Sequence, residues 1–148
     1  MNKIRLTKEF NFEMAHALFG YDGACKNIHG HSYNLSVTFI GEPITDKSNP
    51  KCGMVVDFSV MKTIVKPIIE ELDHATLLNA ETPHKELANE NSLFGKLVLV
   101  NYQPTCENLL IDFASRIKKE LPHDLKLHHI LLRETPTSYA EWFAEDNE

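Results

Sequence analysis

The chain has 148 residues, the length of one domain, enough to bury roughly 70% of its unfolded surface. Its apolar share of 43% is that of a globular protein, and no apolar run approaches the roughly 20 residues that span a bilayer, so no membrane partner is expected. A net charge of −6, with no basic cluster denser than Lys118-Lys119, argues against a nucleic-acid surface. Three cysteines (Cys25, Cys52, Cys106) without framework spacing predict reduced thiols rather than a disulfide scaffold. The opening run MNKIRLTKEF lacks the apolar core of a secretory leader, so a cytoplasmic protein is expected.

In chain order, the first predicted element is a strand. Ile4, Leu6, Phe10, Phe12, Met14 and His16 fall on one side, with Lys8 the polar exception, and mostly charged or polar residues fall on the other. A loop around Gly20 to Gly23 follows. A second strand sets His29, His31, Tyr33, Leu35, Val37 and Phe39 on one face. Gly53 to Asp57 reads as a short third strand. Asp57 or Ser59 caps a helix with Met61, Ile64, Val65, Ile68 and Leu72 at helical spacing, which Pro67 is expected to kink or break. Residues 79–95 are polar and irregular, and Lys96 to Tyr102 reads as a strand. Thr105 caps a second helix that buries Leu110, Phe113, Ala114, Ile117 and Leu121. Strands at His128 to Thr135 and Tyr139 to Phe143 close the chain. Strands at both ends with helices between predict an α+β fold, an antiparallel sheet covered on one face by two helices.

Histidine is abundant (eight residues), and three have a telling position. The first two strands are consecutive, so antiparallel pairing is the default, and the end of the first then lies beside the start of the second. His16 ends the inner face of the first, while His29 and His31, two apart, point the same way from the start of the second. Three imidazoles thus converge at one edge of the apolar face. Three histidines with an open fourth position form a catalytic zinc arrangement, although imidazole also suits copper, nickel or iron. Cys25, four residues before His29, is open to three readings: a fourth ligand closing a structural site, a thiolate activated by the nearby cation, or an inert loop thiol. Cys52 and Cys106 have no neighbouring ligand set and read as structural.

The run Cys25-Lys26-Asn27-Ile28-His29-Gly30-His31, with His16 in FNFEMAH upstream, resembles the 6-pyruvoyl-tetrahydropterin synthase family. The likeness continues through Val56-Asp57-Phe58, Leu72-Asp73-His74, Leu77-Leu78-Asn79, Pro104-Thr105-Cys106-Glu107-Asn108 and Arg133-Glu134-Thr135. Three residues between the cysteine and the first histidine of H-G-H is the spacing of the bacterial 6-carboxytetrahydropterin synthase branch, on the route to the tRNA base queuosine. The resemblance implies a T-fold, a four-stranded antiparallel sheet with two helices on one face, whose sheets join into barrels by oligomerisation, usually as a homohexamer. It implies one domain over 1–148 with an insertion at about 80–103. It also implies a substrate, 7,8-dihydroneopterin triphosphate, converted to 6-carboxy-5,6,7,8-tetrahydropterin, acetaldehyde and triphosphate; the pyruvoyl-forming elimination is the alternative.

Carried onto this chain, the resemblance implies zinc on His16, His29 and His31, with Cys25 as thiolate base. It pairs Asp73 and His74 with the cysteine across a subunit interface, although an acid–imidazole pair at a helix end also has a purely local reading. Glu134, on the same face as Ile130 and Leu132, becomes the pterin anchor, because a carboxylate accepts two hydrogen bonds from a 2-amino-pyrimidinone edge. Thr105 is read both as a helix cap and as a pterin contact. A non-catalytic, zinc-stabilised pterin-binding protein is the rival of another class.

Overall fold

The computed structural model describes residues 2–89 and 92–148, with only the backbone at 88 and 89. Strands β1 (Ile4–His16) and β2 (His29–Gly41) form a long antiparallel hairpin in which Ile4 faces Gly41 and His16 faces His29. Helix α1 (Phe58–Leu72) and strand β3 (Ala75–Asn79) follow, then two 3₁₀ turns, strand β4 (Leu97–Val100), helix α2 (Cys106–Glu120), and strands β5 (Lys126–Thr135) and β6 (Ser138–Phe143). The sheet order is β4-β3-β1-β2-β5-β6.

Register is written on the polar face of the hairpin. Directly opposed residues join side chains in four successive pairs, Thr7–Thr38, Glu9–Ser36, Asn11–Asn34 and Glu13–Ser32, at 2.7–3.1 Å. A one-residue slip would break all four and turn the apolar set to solvent. The other face buries Phe12, Met14, Tyr33, Leu35, Val37 and Phe39 against Met61, Val65 and Ile68 of α1 and Leu109, Phe113 and Ile117 of α2. Phe12 stacks on Tyr33 with centroids 4.9 Å apart and meets Phe113 edge-on at 6.4 Å. Two helices on one face of a sheet is the α+β arrangement expected. Among the described residues, no helix is long and apolar enough to cross a membrane.

Three features differ from expectation, while the strand expected at Lys96 to Tyr102 is present as β4. The antiparallel part of the sheet has the four strands foreseen (β1, β2, β5, β6), but β3 and β4 extend it, parallel, at the C-terminal end of β1 to six strands. Ala75–Asn79 shows no alternation, because the strand is covered on both faces, with Ala75, Leu77 and Leu78 buried and only five residues to carry a pattern. The strand expected at Gly53 to Asp57 is a turn. Gly53 sits at φ 88°, Met54 N–H turns back to Lys51 O, and the stretch meets Ile44 through Gly53 N–H to Ile44 O and Ile44 N–H to Met54 O. Pro67 lies inside an unbroken α1, on its exposed side, where water can take the carbonyl its ring leaves unpaired. Both helix caps are as expected, with Asp57 accepting from Ser59 N–H and Thr105 from Asn108 N–H.

Candidate metal centre and adjoining cleft

The hairpin register puts His16 opposite His29 and Met14 opposite His31, so the three imidazoles share the helix-covered face at one end of the sheet. Ring centroids lie 4.5 Å (His16–His29), 5.2 Å (His16–His31) and 5.0 Å (His29–His31) apart. One ring nitrogen from each falls within 4.8 Å of the others. His16 is 2% exposed, and its Nδ1 donates to Pro104 O at 2.7 Å; His29 Nδ1 donates to Asn27 O at 2.7 Å. A carbonyl only accepts, so each bond holds the proton on Nδ1 and leaves the Nε2 lone pair free. All three Nε2 atoms are buried without a hydrogen-bond partner. Buried polar atoms are rarely left so, and three converging on one point fit a divalent metal.

Burial pushes the pKa of His16 below its ordinary 6.5, outweighing the hydrogen bond to Pro104 and the Glu134 carboxylate. His31 is lowered for the same first reason, against the pull of Glu134. The His31 Nε2–Glu134 Oε1 separation of 3.5 Å is therefore a contact between a neutral ring and a carboxylate rather than an ion pair. His128, elsewhere on β5, is also lowered, by burial and then by Arg5. The unfolded chain takes up these protons near pH 6.5 and the folded chain only below it, so stability present above pH 6.5 is lost as pH falls through the folded values. Metal-free protein is expected to melt at progressively lower temperature below about pH 6.5, read by thermal unfolding in chelator from pH 8 to pH 5.

Beside the imidazoles opens a cleft of about 360 Å³ lined by His16, Cys25, Thr105, Cys106, Glu107, Glu134, Tyr139 and neighbours. Its parts come from distant stretches of chain. A 3₁₀ turn (Ala24–Lys26) presents Cys25, the start of α2 presents Thr105 to Glu107, and β5 presents Glu134. Cys25 is half-buried and unpaired. Thr105 caps α2 and also lines the cleft. The Tyr33 hydroxyl reaches Glu134 Oε2 at 3.4 Å, and burial with the neighbouring carboxylate pushes its pKa far up, keeping the phenol neutral.

Cys106, read as structural, lines this cleft. Burial and Glu134 push its thiol up to about 12, and its Sγ donates to Leu132 O at 3.3 Å, so it is a poor nucleophile. In sequence Tyr33 is one of the inner-face residues of its strand and Cys106 has no neighbouring ligand set, so neither carries a local signal of the cleft. Asp73 and His74 do not enter the cleft of their own chain. With Glu13, Gly30, Ser32 and Thr76, His74 borders a hollow on the opposite face of the sheet, and Asp73 bonds Glu13 at its rim. There Asp73 Oδ1 accepts from Glu13 N–H at 2.8 Å, His74 N–H donates to Glu13 O, and His74 takes φ 60°, a left-handed conformation unusual for a side-chain-bearing residue. That backbone hydrogen bond, more than the His74 contact, holds the Asp73 carboxyl below its ordinary range. The imidazole lies 3.1 Å from Asp73 Oδ2 and is exposed.

Comparison with known proteins gives this geometry a lineage. The family model described as 6-pyruvoyl tetrahydropterin synthase matches residues 5–145. A protein of Haemophilus influenzae named 6-carboxy-5,6,7,8-tetrahydropterin synthase is 38% identical over 142 residues, 93% of this chain and 97% of that one. A Pyrococcus furiosus protein named dihydroneopterin monophosphate aldolase is 31% identical over 89% of this chain and 90% of its own length. The solved 6-pyruvoyl tetrahydropterin synthase of Caenorhabditis elegans superposes with a TM-score of 0.69 over 97% of both chains at 22% identity, a likeness of fold. With the profile matched almost end to end and a full-length relative at 38% identity, the chain belongs to the 6-pyruvoyl tetrahydropterin synthase family.

Proposed function

We propose that the chain is a zinc-dependent lyase that converts 7,8-dihydroneopterin triphosphate and water to 6-carboxy-5,6,7,8-tetrahydropterin, acetaldehyde and triphosphate, in queuosine formation. The observation that carries this reading is the set of three converging, unpartnered imidazole nitrogens beside a cleft lined by one of those histidines, His16, together with Cys25 and Glu134. The names of the Haemophilus relative and the matching family support pterin chemistry of this kind.

Bound to His16, His29 and His31, zinc would supply a Lewis acid for the hydroxyl oxygens of the pterin side chain. The residues of the chain do the rest. Glu134 accepts hydrogen bonds from the pterin's amino-pyrimidinone edge, with Thr105 beside it, and so sets the side chain against the imidazoles. Cys25, as thiolate, removes a proton from the side-chain carbon next to a hydroxyl, the step that starts carbon–oxygen and carbon–carbon cleavage. Neutral Tyr33 steadies the Glu134 carboxylate from beneath.

Asp73 and His74 act on a neighbouring copy in this reading. The cleft is bordered by Ser138 and Tyr139 of β6, an edge strand whose outer backbone groups pair with no strand among the described residues. A second copy docking along that edge would bring its own surface to the cleft mouth; a ring of such contacts would close a trimer, and two trimers stacked would give the homohexamer. The free thiols suit a reducing cytoplasm.

Incubating metal-loaded protein with the triphosphate and analysing the products tests the reaction. Acetaldehyde with a 6-carboxy product is expected; a 6-pyruvoyl product without acetaldehyde overturns it in favour of the elimination, and cleavage of a monophosphate substrate alone favours the aldolase activity. Glu134→Gln keeps one acceptor but loses the charge that strengthens both bonds. It is expected to raise KM roughly 10- to 100-fold, as loss of charge-assisted hydrogen bonding does, with zinc content by elemental analysis unchanged.

A further inference from the structure

The loop between β1 and β2, residues 17–28, carries Cys25, yet little of it is anchored by burial: Phe19, Tyr21 and Ile28 are 46–47% exposed. Cys25 is placed instead by a hydrogen bond across the loop, Leu18 N–H to Cys25 O at 2.9 Å. From outside the hairpin, one side-chain hydrogen bond reaches this loop among the described residues: Gln103 Nε2 donates to Phe19 O at 2.9 Å. The same bond is backed by a ring contact, Phe19 edge-on to His84 at 5.2 Å.

Gln103 is itself firmly held. Its carbonyl accepts from Thr105 N–H at 2.8 Å and Asn108 Nδ2 at 3.0 Å, and the preceding Tyr102 hydroxyl donates to Asp112 Oδ2 at 2.9 Å. The turn is thus fastened to the first turns of α2, and the next residue, Pro104, offers the carbonyl that orients His16. One rigid turn therefore fixes the orientation of an imidazole with its backbone and the height of the Cys25 loop with a side chain.

We propose that Gln103 is a positioning residue: through Phe19 and Leu18 it sets where the Cys25 thiol stands relative to the three histidines. This gives the 80–103 stretch a task, since its end reaches back over the site. The proposal rests on the reading of Cys25 as the base, but its first readout does not.

Gln103→Met preserves length and removes the donor; Gln103→Lys restores a donor of similar reach. With Gln103→Met, amides of residues 18–25 are expected to exchange faster with deuterium, while zinc content stays at the wild-type level. Its kcat is expected to fall about 10-fold, with KM unchanged, because a misplaced base is felt in the chemical step. Gln103→Lys is expected to recover both. Wild-type exchange and kcat in Gln103→Met overturn the proposal, as does an equal defect in both variants. Faster exchange with an unchanged kcat means instead that Gln103 holds the loop but Cys25 is not the base, a failure of the functional reading alone.

Discussion

Cys25→Ala is expected to lower kcat by about 10²- to 10⁴-fold, the range of a lost general base, while zinc content and thermal stability stay at wild-type values. The reason lies in the ligand set. His16, His29 and His31 each present an Nε2 without a partner, and two of the rings are locked by backbone carbonyls, so the site is assembled without sulfur. Cys25 lies in the adjoining cleft, on a loop whose placement does not depend on the thiol. Steady-state kinetics with elemental analysis of the same preparation reads both quantities. Loss of zinc together with turnover would make Cys25 the fourth ligand of a closed site and sink the catalytic reading. Cys52→Ser, at an exposed position far from the cleft lining, serves as the thiol control.

His16→Ala is expected to abolish both metal retention and turnover. Zinc sites in small peptides are worth roughly 10–16 kcal/mol over about four ligands, so one ligand accounts for about 3–4 kcal/mol, or roughly 10²- to 10³-fold in affinity. His16 is the most consequential of the three because it is the one fully buried, and its removal also strands the Pro104 carbonyl. Wild-type protein at zinc about 100 times its Kd gains about 2.7 kcal/mol from binding, and its melting temperature rises accordingly. In His16→Ala the same zinc addition should leave the melting temperature where it was. A variant that still gains stability from zinc and binds one equivalent would remove His16 from the ligand set.

The three clustered histidines were legible in sequence for a simple reason. Alternation assigns a side chain to a face, and a hairpin of consecutive strands brings the end of one strand to the start of the next; His29 and His31 on one face with His16 opposite follow from local rules alone. The helices were equally legible, because apolar spacing and the caps Asp57 and Thr105 are properties of short segments. Strand β3 was not, since a strand covered on both faces carries no alternation, and five residues are too few to show another signature.

What surrounds the histidines was decided by contacts that sequence periodicity does not express. The bond that orients His16 spans 88 residues to Pro104, and the one joining Tyr33 to Glu134 spans 101. Asp73 and His74, adjacent to the site motifs in pattern, lie on the far face of the sheet, because the left-handed turn at His74 delivers the chain to the edge of β1 from that side. Short-range geometry was enough for the histidine triad, the two helices and the α+β class. That Cys106 shares the cleft, that Asp73 and His74 do not, and that the turn at Gln103 and Pro104 ties the cysteine loop to His16 emerge in the folded chain, because each depends on where elements far apart in sequence come to rest.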